Sequence, residues 1–526
     1  MKCTIAELAL QTTPLNSVIS FIGSKAALFA NVFLAGFDGT VTASTYAAIS
    51  SSFLSSNTAS WITTSYLLTS TAIQPLYGRF SDIFGRRICL LIATTMFCVG
   101  CLGCSLALDI VSLDIMRAVT GIGGGGLMTM ATIINSDIVP QRHRGTYQAV
   151  QNMFLGLGSI MGASVGGFIA DNIGWRYCFL LQVPISVVAL IVAYHLVTNS
   201  SRKQYSELED AEDGHVSVET AWNRVDVAGA MTMVIWLSLQ TAALSMGSNV
   251  SNWSDSVVVA CLVGSAVFLI IFVVAEMRTA AAPIMPLRML RRLDRIALLV
   301  ANVCLGIAAY GFLFLMPLFF QAVLLDRPST AGLRLVAPAL STPIGSLVTG
   351  YLMARGDHLN ILTRVGLATF FVSACLVSTL GRDEPSWKYS LYLMLGNLGQ
   401  GIAFPSSLFA FIRASSIDDH AVATSLIYLS RSMGSVWGVA AVSTISQSFL
   451  SYKLDASLSH LPNREEVIQM LKSSVEAIHR LTPDVREIAQ QAYYESCQQG
   501  FYFLLVVCGV ATVASFLVAH PKRYIP

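Results

Sequence analysis

Long apolar runs separated by short polar connections fill most of the chain, and their length rather than their periodicity decides what they are. A helix needs about 20 apolar residues to cross the hydrocarbon of a bilayer, because no water is present there to satisfy its backbone groups. Fourteen stretches meet that need: 25–48, 61–78, 88–108, 113–135, 146–170, 177–198, 227–246, 256–275, 296–321, 329–353, 362–381, 389–412, 421–447 and 497–519. The pattern therefore predicts an all-α membrane protein with about fourteen transmembrane helices. Residues 1–24 are mildly polar, and the run that follows is too long and too polar at its centre for a cleaved signal peptide. They are read as a cytoplasmic N-terminal segment.

The connections carry the orientation. Arg79, Arg86 and Arg87 lie between spans two and three, Arg142 and Arg144 after span four, and Arg202 and Lys203 after span six. Arg288, Arg291, Arg292 and Arg295 follow span eight, Arg355 and Arg364 span ten, Arg413 ends span twelve, and Lys522 and Arg523 follow span fourteen. Most odd-numbered connections are poor in basic residues, so the positive-inside rule puts both termini in the cytoplasm. Residues 199–226 are polar and acidic, unable to bury a core, and read as a cytoplasmic linker; 276–295 is a second cytoplasmic connection and 520–526 a cytoplasmic tail. The loop 450–496 places Val467, Met470, Leu471, Val475, Ile478 and Leu481 at helical spacing. That predicts an amphipathic helix on the opposite side, with a surface cap favoured over substrate recognition. Asn249 and Asn252 begin glycosylation sequons in a loop on that same side.

Composition removes other classes. The chain is 54% hydrophobic and 12% charged, against about a quarter charged in soluble domains, and its net charge of +2 offers nothing to nucleic acid. The cysteines fall mostly inside apolar runs without metal-ligand spacing and read as small core residues. Internal similarity adds an architecture. Gly158-Ser-Ile-Met-Gly162 in span five is echoed by Gly434-Ser-Val-Trp-Gly438 in span thirteen, and Gly78 at the end of span two by Gly350 at the end of span ten, with nearly the same offset along the chain. Two six-helix halves, 25–198 and 296–519, are expected on either side of two inserted helices at 227–275.

Several polar residues stand where lipid makes them costly. Asp38 is in the middle of span one, where an unpaired carboxylate costs several kcal/mol. It is either a site of protonation and cation binding or a carboxylate locked by a neighbouring arginine or hydroxyl. Arg117, in span four, cannot discharge and needs a carboxylate, carbonyls or a water-filled cavity. Between spans two and three, Gly78, Asp82, Gly85, Arg86 and Arg87 combine a tight turn, a carboxylate and two guanidinium groups, the parts of a breakable latch; Asp137 at the inner end of span four is a candidate partner for Arg86. Gly158, Gly162, Gly166 and Gly167 leave one face of span five almost without side chains, suited to close packing or sliding. Tyr66, Gln74, Gln182, Gln321 and Arg431 are candidates for a cavity lining.

These motifs carry a resemblance. Gly78-Arg-Phe-Ser-Asp82-Ile-Phe-Gly85-Arg86-Arg87 resembles the loop motif of the major facilitator superfamily; the copy after Gly350 has Ala354 where Asp82 stands. Arg117-Ala-Val-Thr120-Gly121-Ile-Gly123 resembles the superfamily element linked to proton coupling, with Thr120 in place of the usual glutamine. The glycines of span five resemble the element that marks exporters, with Gly162-Ala163 where Gly-Pro is usual, and Phe37-Asp38-Gly-Thr40-Val resembles a signature of fourteen-span drug:proton antiporters. Trp61–Asp82 and Gly174–Pro184 resemble fungal members of the fourteen-span group, and over nearly the whole chain, most strongly through span six, the sequence resembles the fungal vacuolar basic amino acid transporters. The resemblance implies a proton-coupled antiporter moving lysine, arginine or histidine, and neutral amino acids in some members, from cytosol into the vacuole. It implies no cofactor and a monomer whose partners are small-molecule substrate, protons and the lipid bilayer. Drug or other small-molecule efflux at the plasma membrane would use the same machinery. A membrane-embedded enzyme would need clustered acids, histidines or a nucleophile, and the histidines are scattered.

Overall fold

In the computed structural model the described residues are 15–53, 61–197, 226–249, 253–279, 283–285, 287–326, 328–356, 358–415, 419–458, 468, 471, 478 and 481–518. Among them are fourteen long helices and no strand. The first five are α1 (Leu15–Ser52), α2 (Trp61–Phe84), α3 (Arg86–Leu106), α4 (Ile110–Ile138) and α5 (Gln141–Asn172). Next come α6 (Trp175–Leu196), interrupted for one residue at Leu181, then α7 (Val227–Asn249) and α8 (Ser256–Arg278). After a 3-10 turn at Leu287–Arg291 follow α9 (Leu293–Ala322), α10 (Pro328–Arg355), α11 (Leu359–Ser378), α12 (Ser386–Ala414), α13 (His420–Ser457) and α14 (Pro483–Phe516).

Each of these helices overlaps one apolar run, and most run a turn or more beyond it. Polar caps and ion pairs extend them: Asp109 caps α4 by accepting the Ser112 amide at 3.2 Å. Glu276, in the expected connection, lies inside α8, and α13 reaches Ser457 where Lys453 pairs with Glu495 of α14 at 2.6 Å. The span-to-span break between α2 and α3 falls on Gly85, whose φ of 95° is left-handed and favours glycine. Of the expected loop helix, Val467, Met470 and Val475 lie outside the described residues. Leu471 and Ile478 are buried, and the Tyr493 hydroxyl donates to the Leu471 carbonyl at 2.7 Å. The linker 199–225, Asn252 and the tail from residue 519 also lie outside the described residues; Asn249 is the last residue of α7.

Large apolar side chains point outward from most helices, as lipid contact requires: Ile270 is 65% exposed, Val506 65% and Leu333 71%. Two compact units result. The first comprises Met1–Ser238, Ser265–Pro286 and Ile417–Ser425; the second comprises Leu239–Gly264, Leu287–Ser416 and Leu426–Pro526. In the first, Leu28, Val32, Phe97, Leu127 and Met130 form the core. In the second, Phe312, Phe319, Leu367, Phe370 and Phe501 do so.

The same close helix approaches recur in both. A methyl group on Gly158 would stand 2.2 Å from the Phe33 carbonyl oxygen, and one on Gly162 2.3 Å from that of Phe37. In the second unit a methyl on Gly434 would stand 2.2 Å from the Val303 carbonyl oxygen, and one on Gly438 2.3 Å from that of Ile307. Gly36 against the Leu155 carbonyl is matched by Gly306 against that of Arg431, at 2.3 Å and 2.5 Å for the added methyl. The correspondence is in register: Phe33, Gly36 and Phe37 of α1 map with one constant offset onto Val303, Gly306 and Ile307 of α9. Leu155, Gly158 and Gly162 of α5 map with another onto Arg431, Gly434 and Gly438 of α13. The third helices and their partners follow suit: Gly123 meets Phe97 N as Gly399 meets Phe370 N. The fold is a pair of six-helix repeats with two inserted helices.

Candidate functional site

Asp38 and Arg117 face each other. Asp38 sits midway along α1, where Gly36 lets the helix press against α5, and Arg117 is two turns into α4. Arg117 Nη1 donates to Asp38 Oδ1 at 2.8 Å and to Oδ2 at 2.9 Å, while Nε donates to the Ile62 carbonyl at 3.2 Å. The guanidinium lies over the Tyr66 ring at 4.5 Å and within 5.7 Å of that of Phe179. Neither charged side chain is exposed by more than 1%. The buried carboxylate and the buried guanidinium thus compensate one another, and of the alternatives for Asp38 the locked carboxylate is the arrangement present in this conformation. Thr120, one turn on, is also buried; its hydroxyl donates to the Met116 carbonyl at 2.8 Å and does not reach the ion pair.

A second charge cluster closes the end of α2. Arg86 Nε donates to Asp137 Oδ2 at 2.8 Å, and its Nη1 donates to Asp82 Oδ1 at 2.6 Å and to Ser81 Oγ at 2.5 Å. Arg79 stands 3.9 Å from Asp82. Three elements, α2, α3 and the end of α4, are thereby tied through one guanidinium. Arg87 points elsewhere, donating to the Tyr194 carbonyl and lying 4.7 Å over that ring. Gly78 completes the cluster by near contact: a methyl there would meet Ser425 Oγ at 2.0 Å and the Ala421 carbonyl at 3.0 Å.

The other candidates are dispersed. Gly166 is buried, its carbonyl accepting from Cys178 Sγ at 3.3 Å, and Gly167 is half-buried. Gln182 is buried with Nε2 on the Cys178 carbonyl at 3.3 Å; Gln74 is buried and Gln321 half-buried. Arg431, in the second unit, bonds to Asn302, Phe404 and Ser407.

Some buried polar residues escape a reading by runs. Lys25 donates to Asn135 Oδ1 at 2.5 Å and lies 4.7 Å over the Tyr147 ring. Glu276 Oε1 accepts the amides of Ile284 and Met285 at 2.9 Å and 3.2 Å, and Asn302 anchors Arg431. Each is a single polar residue inside or at the edge of an apolar run, and that interruption was the available signal.

Fourteen long helices, two repeats and the fully buried Asp38–Arg117 pair inside two apolar runs make this an integral, multi-pass membrane protein. Residues 28–439 match the model of the Major Facilitator Superfamily, and the chain belongs to that family. It is 40% identical over 473 residues to Vacuolar basic amino acid transporter 2 of Saccharomyces cerevisiae, covering 88% of this chain and 98% of the relative. It is 34% identical to a vacuolar membrane amino acid uptake transporter of Schizosaccharomyces pombe, covering 97% of this chain and 86% of the relative. A multidrug resistance protein of the same yeast is 33% identical, with 91% and 89% covered. A solved structure of the proton:xylose symporter XylE matches with a TM-score of 0.57 over 93% of this chain and 96% of that one, at 15% identity, and shares the fold. The chain is a secondary-active transporter, not an enzyme, homologous to fungal vacuolar amino acid transporters.

Proposed function

We propose that this protein is a fourteen-span proton antiporter that carries amino acids, basic ones foremost, from cytosol into the vacuole by alternating access. The observation that carries the substrate and the membrane is the 40% identity to Vacuolar basic amino acid transporter 2, which extends over nearly the whole of both chains. The chemistry is supported by the Asp38–Arg117 pair. Protonation of Asp38 removes the guanidinium's counter-charge, and leaving one member of a buried pair alone costs about 3–5 kcal/mol. A proton there is therefore tolerated only if Arg117 finds water or another anion, which couples protonation to movement of α1 against α4. A cationic substrate competes with Arg117 for the same carboxylate. Asp82, Arg86 and Asp137 act as a latch that must part for the cycle to proceed, and Gly158 and Gly162 give α1 and α5 a surface on which to shift. The protein works as a monomer with both termini cytoplasmic and the sequons in the lumen.

The similarity to a multidrug resistance protein favours a second reading, small-molecule:proton export at the plasma membrane. Uptake of labelled lysine, arginine and histidine into energised vacuolar vesicles separates the two. Vesicles with the protein, without it, and with Asp38→Asn are compared. Protein-dependent uptake that collapses with an uncoupler and with the variant is expected; no protein-dependent uptake, with the protein present, transfers the assignment to export of other small molecules.

A further inference from the structure

Among the described residues, the guanidinium groups of Arg117, Arg86 and Arg334, all wholly or largely withdrawn from the surface, each face a carboxylate. Arg431 does not. Its Nε donates to Asn302 Oδ1 at 2.8 Å, and Nη2 donates to the Phe404 carbonyl at 2.5 Å and to Ser407 Oγ at 3.2 Å. Ser407 in turn donates to Asn302 Oδ1 at 3.1 Å, and Asn302 Nδ2 to the Leu298 carbonyl at 2.8 Å. The Phe404 ring lies 4.4 Å from the guanidinium and the Tyr428 ring 5.8 Å. All of these acceptors are neutral, and Nη1 has no partner among the described residues. Arg431 stands about three turns into α13, which begins at His420, and so about 16 Å along the axis. It falls inside the apolar run 421–447. Arg364 also lacks a carboxylate, but it bonds to the carbonyls of Ser515 and Val518 at the end of α14, where a cation is favoured. Arg431 has no such terminus beside it, and it is half-buried rather than sealed. The repeat does not explain it either, since its counterpart in α5 is Leu155, and the Asp38–Arg117 pair is replaced in the second unit by Ala308 and Leu393.

A permanent cation inside the apolar run 421–447, held by two of its nitrogens with the third unpaired among the described residues, is suited to an anion that comes and goes. We propose that Arg431 receives the carboxylate of the transported solute, Nη1 donating to a carboxylate oxygen, so that the substrate class is the α-amino acid and not the bare organic cation. This rests on the amino acid reading above and names the group that reads the substrate's acid end. Asn302 and Ser407 are positioning residues for it.

The test is equilibrium binding of labelled lysine to the purified full-length protein, competed by unlabelled lysine, by lysinamide and by cadaverine, which keep the amines and lose the carboxylate. The expected result is that wild type prefers lysine by about tenfold or more, the size of one charge-assisted hydrogen bond. Arg431→Gln should bind all three alike. Arg431→Lys, which keeps the charge, should retain part of the preference and serves if the glutamine variant does not fold. If wild type binds lysine and lysinamide equally, or if a folded Arg431→Gln keeps the full preference, the assignment of Arg431 is overturned while amino acid transport stands. If wild type binds no lysine at all, the amino acid reading fails and the carboxylate assignment falls with it.

Discussion

Arg117 turns one nitrogen, Nη1, on both oxygens of Asp38, at 2.8 Å and 2.9 Å, with neither side chain more than 1% exposed. A pair so enclosed is costly to break from one side and much cheaper to remove whole. Asp38→Asn and Arg117→Gln should each lower the melting temperature of the purified protein, by a loss of about 3–5 kcal/mol. The double variant should melt above either single one. A double variant that melts lower than both singles would show that the two side chains do not stabilise each other.

Arg86 bridges Asp82 and Asp137 with two different nitrogens, which a lysine ammonium on a flexible stem cannot reproduce. Arg86→Lys should lose one charge-assisted bond, about 1.5–3 kcal/mol, and slow transport by about tenfold. Substrate affinity should stay within about twofold, because no substrate contact is assigned to this cluster. Initial uptake rates and binding constants measured side by side check this; a large loss of affinity with the rate of the bound form preserved would remove the latch.

Glycine positions give an internal control. Alanine at Gly158, Gly162, Gly434 or Gly438 must push a facing carbonyl from about 2.2–2.3 Å, an overpacking that costs about 1–3 kcal/mol. Gly39, next to the charged pair, has nothing within 4 Å of the added methyl. Gly39→Ala should therefore be neutral or stabilise by up to about 1 kcal/mol, as a helix interior prefers alanine. Thermal unfolding of the five variants decides it, and destabilisation at Gly39 equal to the others would mean that close approach is not the cause.

Thr120 occupies a position where glutamine is usual in the resembling element, and a glutamine does not fit here. A methyl on Gly100 would already meet Thr120 Oγ1 at 2.4 Å, and the Cys104 thiol lies 3.8 Å from the same hydroxyl. Thr120→Gln should destabilise by about 1–3 kcal/mol through overpacking. Gly100→Ala should behave similarly. Improved transport from an equally stable Thr120→Gln protein would show that the site has room for the longer amide.

The helices were legible because a backbone in lipid must satisfy itself, so length and apolarity show where each one crosses, though not where it ends. Asp38, Arg117 and Arg86 were legible as residue types, since a charge at membrane depth or at a tight turn announces itself. The pairing of Arg86 with Asp137 was legible too, since both stand at the same end of their spans, but those of Asp38 with Arg117 and of Asn302 with Arg431 were not: they are 79 and 129 residues apart, and periodicity carries no information on such distances. Lys25 and Glu276 were hidden at the edges of apolar runs, where a charge reads as the boundary of a span. In the structure each is buried within a helix that continues past it. The glycine echo between spans five and thirteen pointed to the repeat, but only the facing carbonyls show that what repeats is a set of backbone contacts rather than a set of side chains.

The order in which the chain is made gives the charged pair a further meaning. The carboxylate of α1 is synthesised 79 residues before its guanidinium. At about 5–20 residues per second the interval is about 4–16 s. Through that time Asp38 has no Arg117 to meet, and the pair forms only once α4 has been made. The contact that seals α1 against α4 in the finished molecule thus depends on a residue made later, and variants at Arg117 should be found among poorly inserted chains before they are found among poor transporters.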